Sequence, residues 1–216
     1  MNILKDNQMK THIPKIVITG GPCGGKTSAM TFLSRKLSEM GYYPIVIPEV
    51  PTILITAGIT PVGGVFSLRA FQEQVIDLTL HLEASFTRAA ERLEHPRPIL
   101  ICDRGLMDPL AYMPEEVFWE LILARGLDAV SARDTRYLGA FHLRSAAFGA
   151  EEYYTLANNS ARMEATIKEA READERTLAA WDGHPRFVVI DNEGKNFEQK
   201  MNLLWDEMSN MLRVVQ

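Results

Sequence analysis

The eight residues Gly20-Gly21-Pro22-Cys23-Gly24-Gly25-Lys26-Thr27 have the types and spacing that phosphate chemistry requires. They fit G-x-x-x-x-G-K-[ST] at every fixed position. Glycines let successive backbone N–H groups curl about an anion without a Cβ in the way, and a helix N-terminus adds partial positive charge. Lys26 would reach the β- and γ-phosphates, and the Thr27 hydroxyl would ligate Mg²⁺. The expected nucleotide contacts are Gly21, Pro22, Cys23, Gly24, Gly25, Lys26, Thr27 and Ser28. The implied cofactors are ATP, with GTP as the alternative, and Mg²⁺.

A second set of residues belongs opposite this loop. Ile99-Leu100-Ile101-Cys102-Asp103 is an apolar strand ending in a carboxylate. Ligands bind outside the carboxyl ends of parallel strands, so Asp103 is placed to hold Mg²⁺ beside Thr27, directly or through water. Glu49 follows another strand toward the same cleft. It would accept a proton from an acceptor hydroxyl, hydrogen-bond the acceptor, or cap the next segment. Arg104 either touches phosphate or acceptor, or pairs with Asp108 or Glu49. Gln72 offers a planar amide with both a donor and an acceptor, suited to a base edge. Phe71 beside it could stack on a ring, but it fits the core stripe better, and the polar residues here also fit a solvated face.

Between the last two strands lies a charged stretch containing Arg162, Lys168, Arg171 and Arg176. Arginines stabilise the charge that develops in phosphoryl transfer, and Arg162 and Arg171 are the candidates for that role. The neighbouring glutamates also allow ordinary helix ion pairs. Asn192 ends the fifth strand, where an adenine contact is expected. The Asn-Lys-x-Asp signature of guanine recognition is missing from that loop.

These residues need strands to carry them. Strand patterns cover 16–19, 44–48, 98–102, 139–143 and 187–191. Helical periodicity covers 27–40, 65–93, 108–125, 150–181 and 196–214, with a short helical piece in the Pro- and Gly-rich 51–64. Strands alternating with helices predict an α/β fold, a parallel sheet covered on both faces. The expected organisation is a loose arm over 1–13 and one domain over 14–216. A net charge of −5 supplies no general attraction to nucleic acid. Cys23 and Cys102 are the only cysteines, too few for a disulfide framework or zinc site. No apolar run approaches the ~18 residues of a membrane span. A cytoplasmic location is the expectation.

The loop together with Pro48-Glu49, Phe71-Gln72, Cys102-Asp103-Arg104-Gly105, the run Tyr154…Asn158-Asn159…Arg162…Arg171, Gly183-His184-Pro185 and Ile190-Asp191-Asn192 resembles the NadR-like AAA-type P-loop domains. That group includes the ribosylnicotinamide kinase domain of bacterial NAD-biosynthesis regulators. The resemblance runs over roughly 14–214. It implies a three-layer αβα P-loop NTPase with a five-stranded parallel sheet in the order 2-3-1-4-5 and a helical lid around 150–181. It also implies Lys26 and Thr27 for phosphates and magnesium, Asp103 for metal and Glu49 on the acceptor side.

Two functions follow as expectations. The first is a kinase moving the γ-phosphoryl group to a hydroxyl of a nucleoside-like small molecule, with Lys26, Glu49, Asp103, Arg162 and Arg171 catalytic and Glu49, Gln72 and Arg104 on the acceptor. The second is an NTP-dependent switch or slow NTPase acting through a protein partner.

Overall fold

The computed structural model describes residues 13–95, 97–150 and 166–214. Five short strands form its centre: β1 (Lys15–Thr19), β2 (Tyr43–Ile47), β3 (Pro98–Asp103), β4 (Gly139–Leu143) and β5 (Phe187–Ile190). All four pairings are parallel, and the order is β2-β3-β1-β4-β5. The order and the α/β class agree with the sequence expectation. The central strands are apolar on both faces, as a sheet covered on both sides requires. Ile16, Val17 and Ile18 of β1 and Ile99, Leu100 and Ile101 of β3 are fully buried.

Alternation along the strands feeds two cores. Val17, Leu100 and Cys102 point to one, where Ile76, Phe118, Ile122 and Trp181 pack. Ile16, Ile18, Ile99 and Ile101 point to the other, against Leu33, Leu37, Leu204 and Met208. The second core is covered by α1 (Lys26–Glu39) and α6 (Phe197–Val214). The first is covered by α3 (Leu68–Ala90), α4 (Glu115–Leu123) and α5 (Ile167–Ala180). A smaller cluster of Val50, Leu54, Phe71 and Val75 joins α2 (Val50–Thr56) to α3.

Local chemistry explains the helix starts. Ser67 caps α3 by accepting the Ala70 N–H, and Thr166 and Glu169 form a capping box on α5. The periodic stretch 108–125 is not one helix. It divides into a 3₁₀ turn, Asp108–Tyr112, and α4, with Pro114 at the junction. Proline cannot donate the backbone bond that would carry a helix through.

The segment expected as a lid, 150–181, falls in part on residues outside the described set, Arg162 among them. Its described remainder, α5, packs into the body of the molecule. Ala170, Ala173, Asp174, Thr177 and Ala180 are buried, and Arg176 Nε donates to the Ala111 carbonyl at 3.0 Å. Among the described residues no helix is long and apolar enough to cross a membrane.

Candidate functional site

The loop after β1 is built by close approach. Gly20 has φ +136°, and a Cβ there would lie 2.1 Å from the Leu143 carbonyl oxygen, so the chain turns hard against the end of β4. Gly25, at φ +90°, begins α1, and no side chain caps that helix. Among the described residues its first-turn N–H groups therefore lack a side-chain acceptor, and the helix dipole points at the same space. Lys26 Nζ folds back to donate to the carbonyls of Gly20, at 2.9 Å, and Gly21, at 2.8 Å. Burial, assisted by Arg104, lowers its pKa. Thr27 stands exposed in the first turn of α1.

Asp103 ends β3 beside this loop, with Asp103 in register with Ile18 of β1. Its Oδ1 is buried and has no hydrogen-bond partner among the described residues. Burial pushes the Asp103 carboxyl up to about 6, with Glu49 and Asp108 adding to the rise against Lys26 and Arg104. A buried carboxylate oxygen without a partner beside a phosphate loop suits a hard cation such as Mg²⁺. The residues present thus fit magnesium, which Thr27 and Asp103 could hold. Among the described residues no group of three or more His, Cys, Asp or Glu forms an all-protein metal cage. Magnesium commonly completes its shell with phosphate and water instead.

Arg104 is the hub of the opposite wall. It takes φ +69° in the left-handed region. Its guanidinium donates to Glu49 Oε1 at 2.6 Å and to Asp108 Oδ1 at 3.1 Å. The ion pairs weighed from sequence therefore both exist. Asp108 is buried and also accepts from Thr19 Oγ1, Gly105 N and Trp181 Nε1. Burial alone would raise the Glu49 carboxyl. Arg104, then Lys26, with hydrogen bonds from Thr52 and Arg104, instead hold it down to about 2.

One cavity of about 610 Å³ joins these parts. It is lined by the loop from Pro22 to Ser28, by Glu49, Asp103 and Arg104, and by the α3 face carrying Phe71, Gln72, Val75 and Thr79. Its size lies within the roughly 300–1,000 Å³ of small-molecule sites. Gln72 is only 4% exposed, yet its amide makes no hydrogen bond to a described residue. Phe71 is buried in the α2–α3 cluster and also lines the wall. Sequence reasoning missed Thr79 and Phe197. Thr79 follows Gln72 by two helical turns, a spacing that marks the same face. Phe197 is 53% exposed, and a Cβ on Gly25 would meet its ring at 2.8 Å.

Two expected site residues lie elsewhere. Asn192 does not line the cavity. Its Nδ2 donates to the carbonyls of Ser145 and Phe148, and its Oδ1 accepts from Lys200 Nζ, so the side chain is committed to the scaffold. Arg171 donates through Nε to the Ala147 carbonyl at 2.7 Å and lies over the Phe148 ring, outside the cavity lining. Asp174 lies on the same helix, within its run of charged residues. It is fully buried beneath the phosphate loop, where its Oδ1 accepts from Gly21 N and Ser145 N and meets His142 Nε2. Helix periodicity marks faces, not which polar residue on a buried face finds a distant partner.

A glycine loop between the central strand and its helix, with a carboxylate on the neighbouring strand end, defines a P-loop nucleotide-binding protein. The family model described as AAA domain matches residues 15–200, and the chain belongs to that family. No curated protein matches the chain.

Proposed function

We propose that this chain is an ATP-dependent, Mg²⁺-dependent phosphotransferase whose acceptor is a hydroxyl on a nucleoside-like small molecule. The observation that carries the reading is the cavity that runs from the phosphate loop past Glu49 and Asp103 to Gln72. A hydrolase needs room only for water beyond the γ-phosphate. The same cavity is also lined by Ile55, Phe71 and Val75 and by the Gln72 amide, which bonds to no described residue, more room than a water needs. That combination suits a planar ring bearing adjacent donor and acceptor atoms.

In this scheme the loop amides and Lys26 hold the triphosphate, and Gln72 orients the acceptor ring. Glu49, held ionised by Arg104, accepts a hydrogen bond from the attacking hydroxyl and aims it. A carboxyl with a pKa of about 2 is a weak base, so its contribution is orientation more than proton abstraction. That is enough for a transfer whose transition state is loose. Magnesium bound by Thr27 and Asp103 would neutralise charge on the β- and γ-phosphates.

The test uses γ-labelled ATP, and separately GTP, with Mg²⁺ and a nucleoside pool that includes ribosylnicotinamide, beside Lys26→Ala. Label on an acceptor, lost in the variant, supports the kinase. Label released only as free phosphate sinks it for that pool. The second reading, a nucleotide switch with a protein partner, would then lead. It has its own support in Val62 and Val65, which stand 67% and 84% exposed in the Gly-rich connection between α2 and α3.

A further inference from the structure

Lys200 is an unusual residue for the inner face of α6. It is 4% exposed and flanked by buried Met201 and Leu204. Its Nζ donates to three oxygens: Gly24 O at 3.0 Å, Arg144 O at 2.7 Å and Asn192 Oδ1 at 2.7 Å. An ammonium has three N–H donors and a neutral amine two, so the site is complete only when Lys200 is charged. The three acceptors come from three segments: the phosphate loop, the residue after β4, and the residues after β5. Asn192 extends the tie through its bonds to the Ser145 and Phe148 carbonyls.

The bond to Gly24 bears directly on anion binding. In a trans peptide the C=O and the following N–H point in opposite directions. Holding the Gly24 carbonyl toward α6 therefore turns the Gly25 N–H away from α6. Phosphate loops work by that division, with amides facing the anion and carbonyls facing the protein.

We infer that Lys200 is a positioning residue for the phosphate loop, its buried ammonium fixing the Gly24–Gly25 peptide in the anion-binding orientation. The inference rests on the reading of this loop as the triphosphate site. The charged groups facing Lys200 are Asp174 on α5, Lys26 on α1 and Asp191 after β5. Arg144, whose carbonyl it holds, sends its guanidinium to Asp174 and Glu175. Burial, with Lys26 assisting, brings the Lys200 ammonium down to about 8, against Asp174 and Asp191. Sign follows from linkage: a bound anion favours the charged form, so affinity is full below that pKa and declines above it.

The experiment titrates the full chain with MgATP from pH 6.5 to 9.5, as wild type, Lys200→Arg and Lys200→Met, with thermal melting to check folding. The wild type is expected to weaken by about tenfold between pH 7 and 9.5 if the anion raises the Lys200 pKa by about one unit. Lys200→Arg should lose most of that decline. Titration of Lys26 is common to both proteins and cancels in the comparison. Lys200→Met should bind at least about tenfold more weakly at pH 7, the loss expected of one charge-assisted bond. Identical profiles for wild type and Lys200→Arg overturn the inference, as does wild-type affinity in a folded Lys200→Met. If Lys200→Met does not fold, the two remaining profiles decide. A wild type that binds neither MgATP nor MgGTP at pH 7 overturns the loop reading and the inference with it.

Discussion

Arg104 Nε lies 2.6 Å from Glu49 Oε1, and this contact ties the end of β3 to the residue that opens α2. The pair is mostly buried, with side chains 14% and 22% exposed. Asp108 shares the guanidinium at 3.1 Å. Any acceptor hydroxyl that reaches Glu49 must take its place beside Arg104.

The first prediction concerns that carboxylate. Glu49→Gln keeps the shape and removes the charge. Acceptor-dependent transfer should fall by about 10²-fold, as expected when a reacting group loses its orienting contact, while the MgATP dissociation constant stays within about threefold, since no phosphate contact is lost. Single-turnover transfer and calorimetric titration separate the two. Equal losses in both would show that Glu49 serves nucleotide binding instead.

Lys26→Ala should act in the opposite way. Two hydrogen bonds to its own loop are lost in the nucleotide-free protein, along with a buried ammonium whose pKa burial has lowered. Resting stability should change little. MgATP affinity should drop by about 2–3 kcal/mol, as expected for a charge-assisted contact. Unfolding in urea and a binding isotherm on the same preparation would show whether the two quantities part company.

Asp103 and Glu49 should shape the pH dependence of stability with opposite signs. The Asp103 carboxyl, ordinarily at 3.8, sits at about 6 in the fold, so its charge is a penalty fully present above pH 6 and gone below pH 3.8. Asp103→Asn should therefore stabilise the nucleotide-free protein at pH 8, by on the order of 1–3 kcal/mol, and leave its stability unchanged near pH 4. It should also abolish the Mg²⁺ dependence of nucleotide binding. Glu49, ordinarily at 4.5, sits at about 2, so its stabilisation is present above pH 4.5 and fades toward pH 2. Melting curves at pH 2.5, 4, 6 and 8 would expose a wrong sign in either case.

Asp174→Ala should be costly without touching the cavity. It strands the N–H groups of Gly21 and Ser145 and His142, and it takes one of two carboxylates from the Arg144 guanidinium. Removing one partner of a buried charge pair costs about 3–5 kcal/mol. Gly21→Ala should reproduce part of this, because its Cβ would lie 2.5 Å from Asp174 Oδ1. Chemical denaturation of both variants gives the comparison, and a loss under about 1 kcal/mol in Asp174→Ala would contradict the buried role.

The strands were legible because a parallel sheet buried on both faces writes uninterrupted apolar runs. Ile16 to Thr19 and Pro98 to Cys102 match observed strands to within a residue. The phosphate loop was legible because its geometry demands particular residues in sequence. The strand order came from the family resemblance and is the observed one. What stayed hidden depends on distance. Lys200 and Asp174 look like solvated polar residues, and only the packing of α6 and α5 against the loop turns them inward, while Asn192, expected at the adenine, is committed to the Ser145 and Phe148 carbonyls. The split at Pro114 was visible in hindsight, but an apolar stripe on either side obscured it.

Helix α1 begins without a side-chain cap, and the consequence reaches beyond catalysis. Its missing N-terminal acceptor is the ligand itself, so nucleotide is a structural component of the first turn whenever it is bound. By mass action, free nucleotide at about 100 times its dissociation constant adds about 2.7 kcal/mol to the folded state. A lesion in the loop would then present twice, as slower chemistry and as a shorter-lived polypeptide. Abundance must be normalised before any such variant is ranked by turnover.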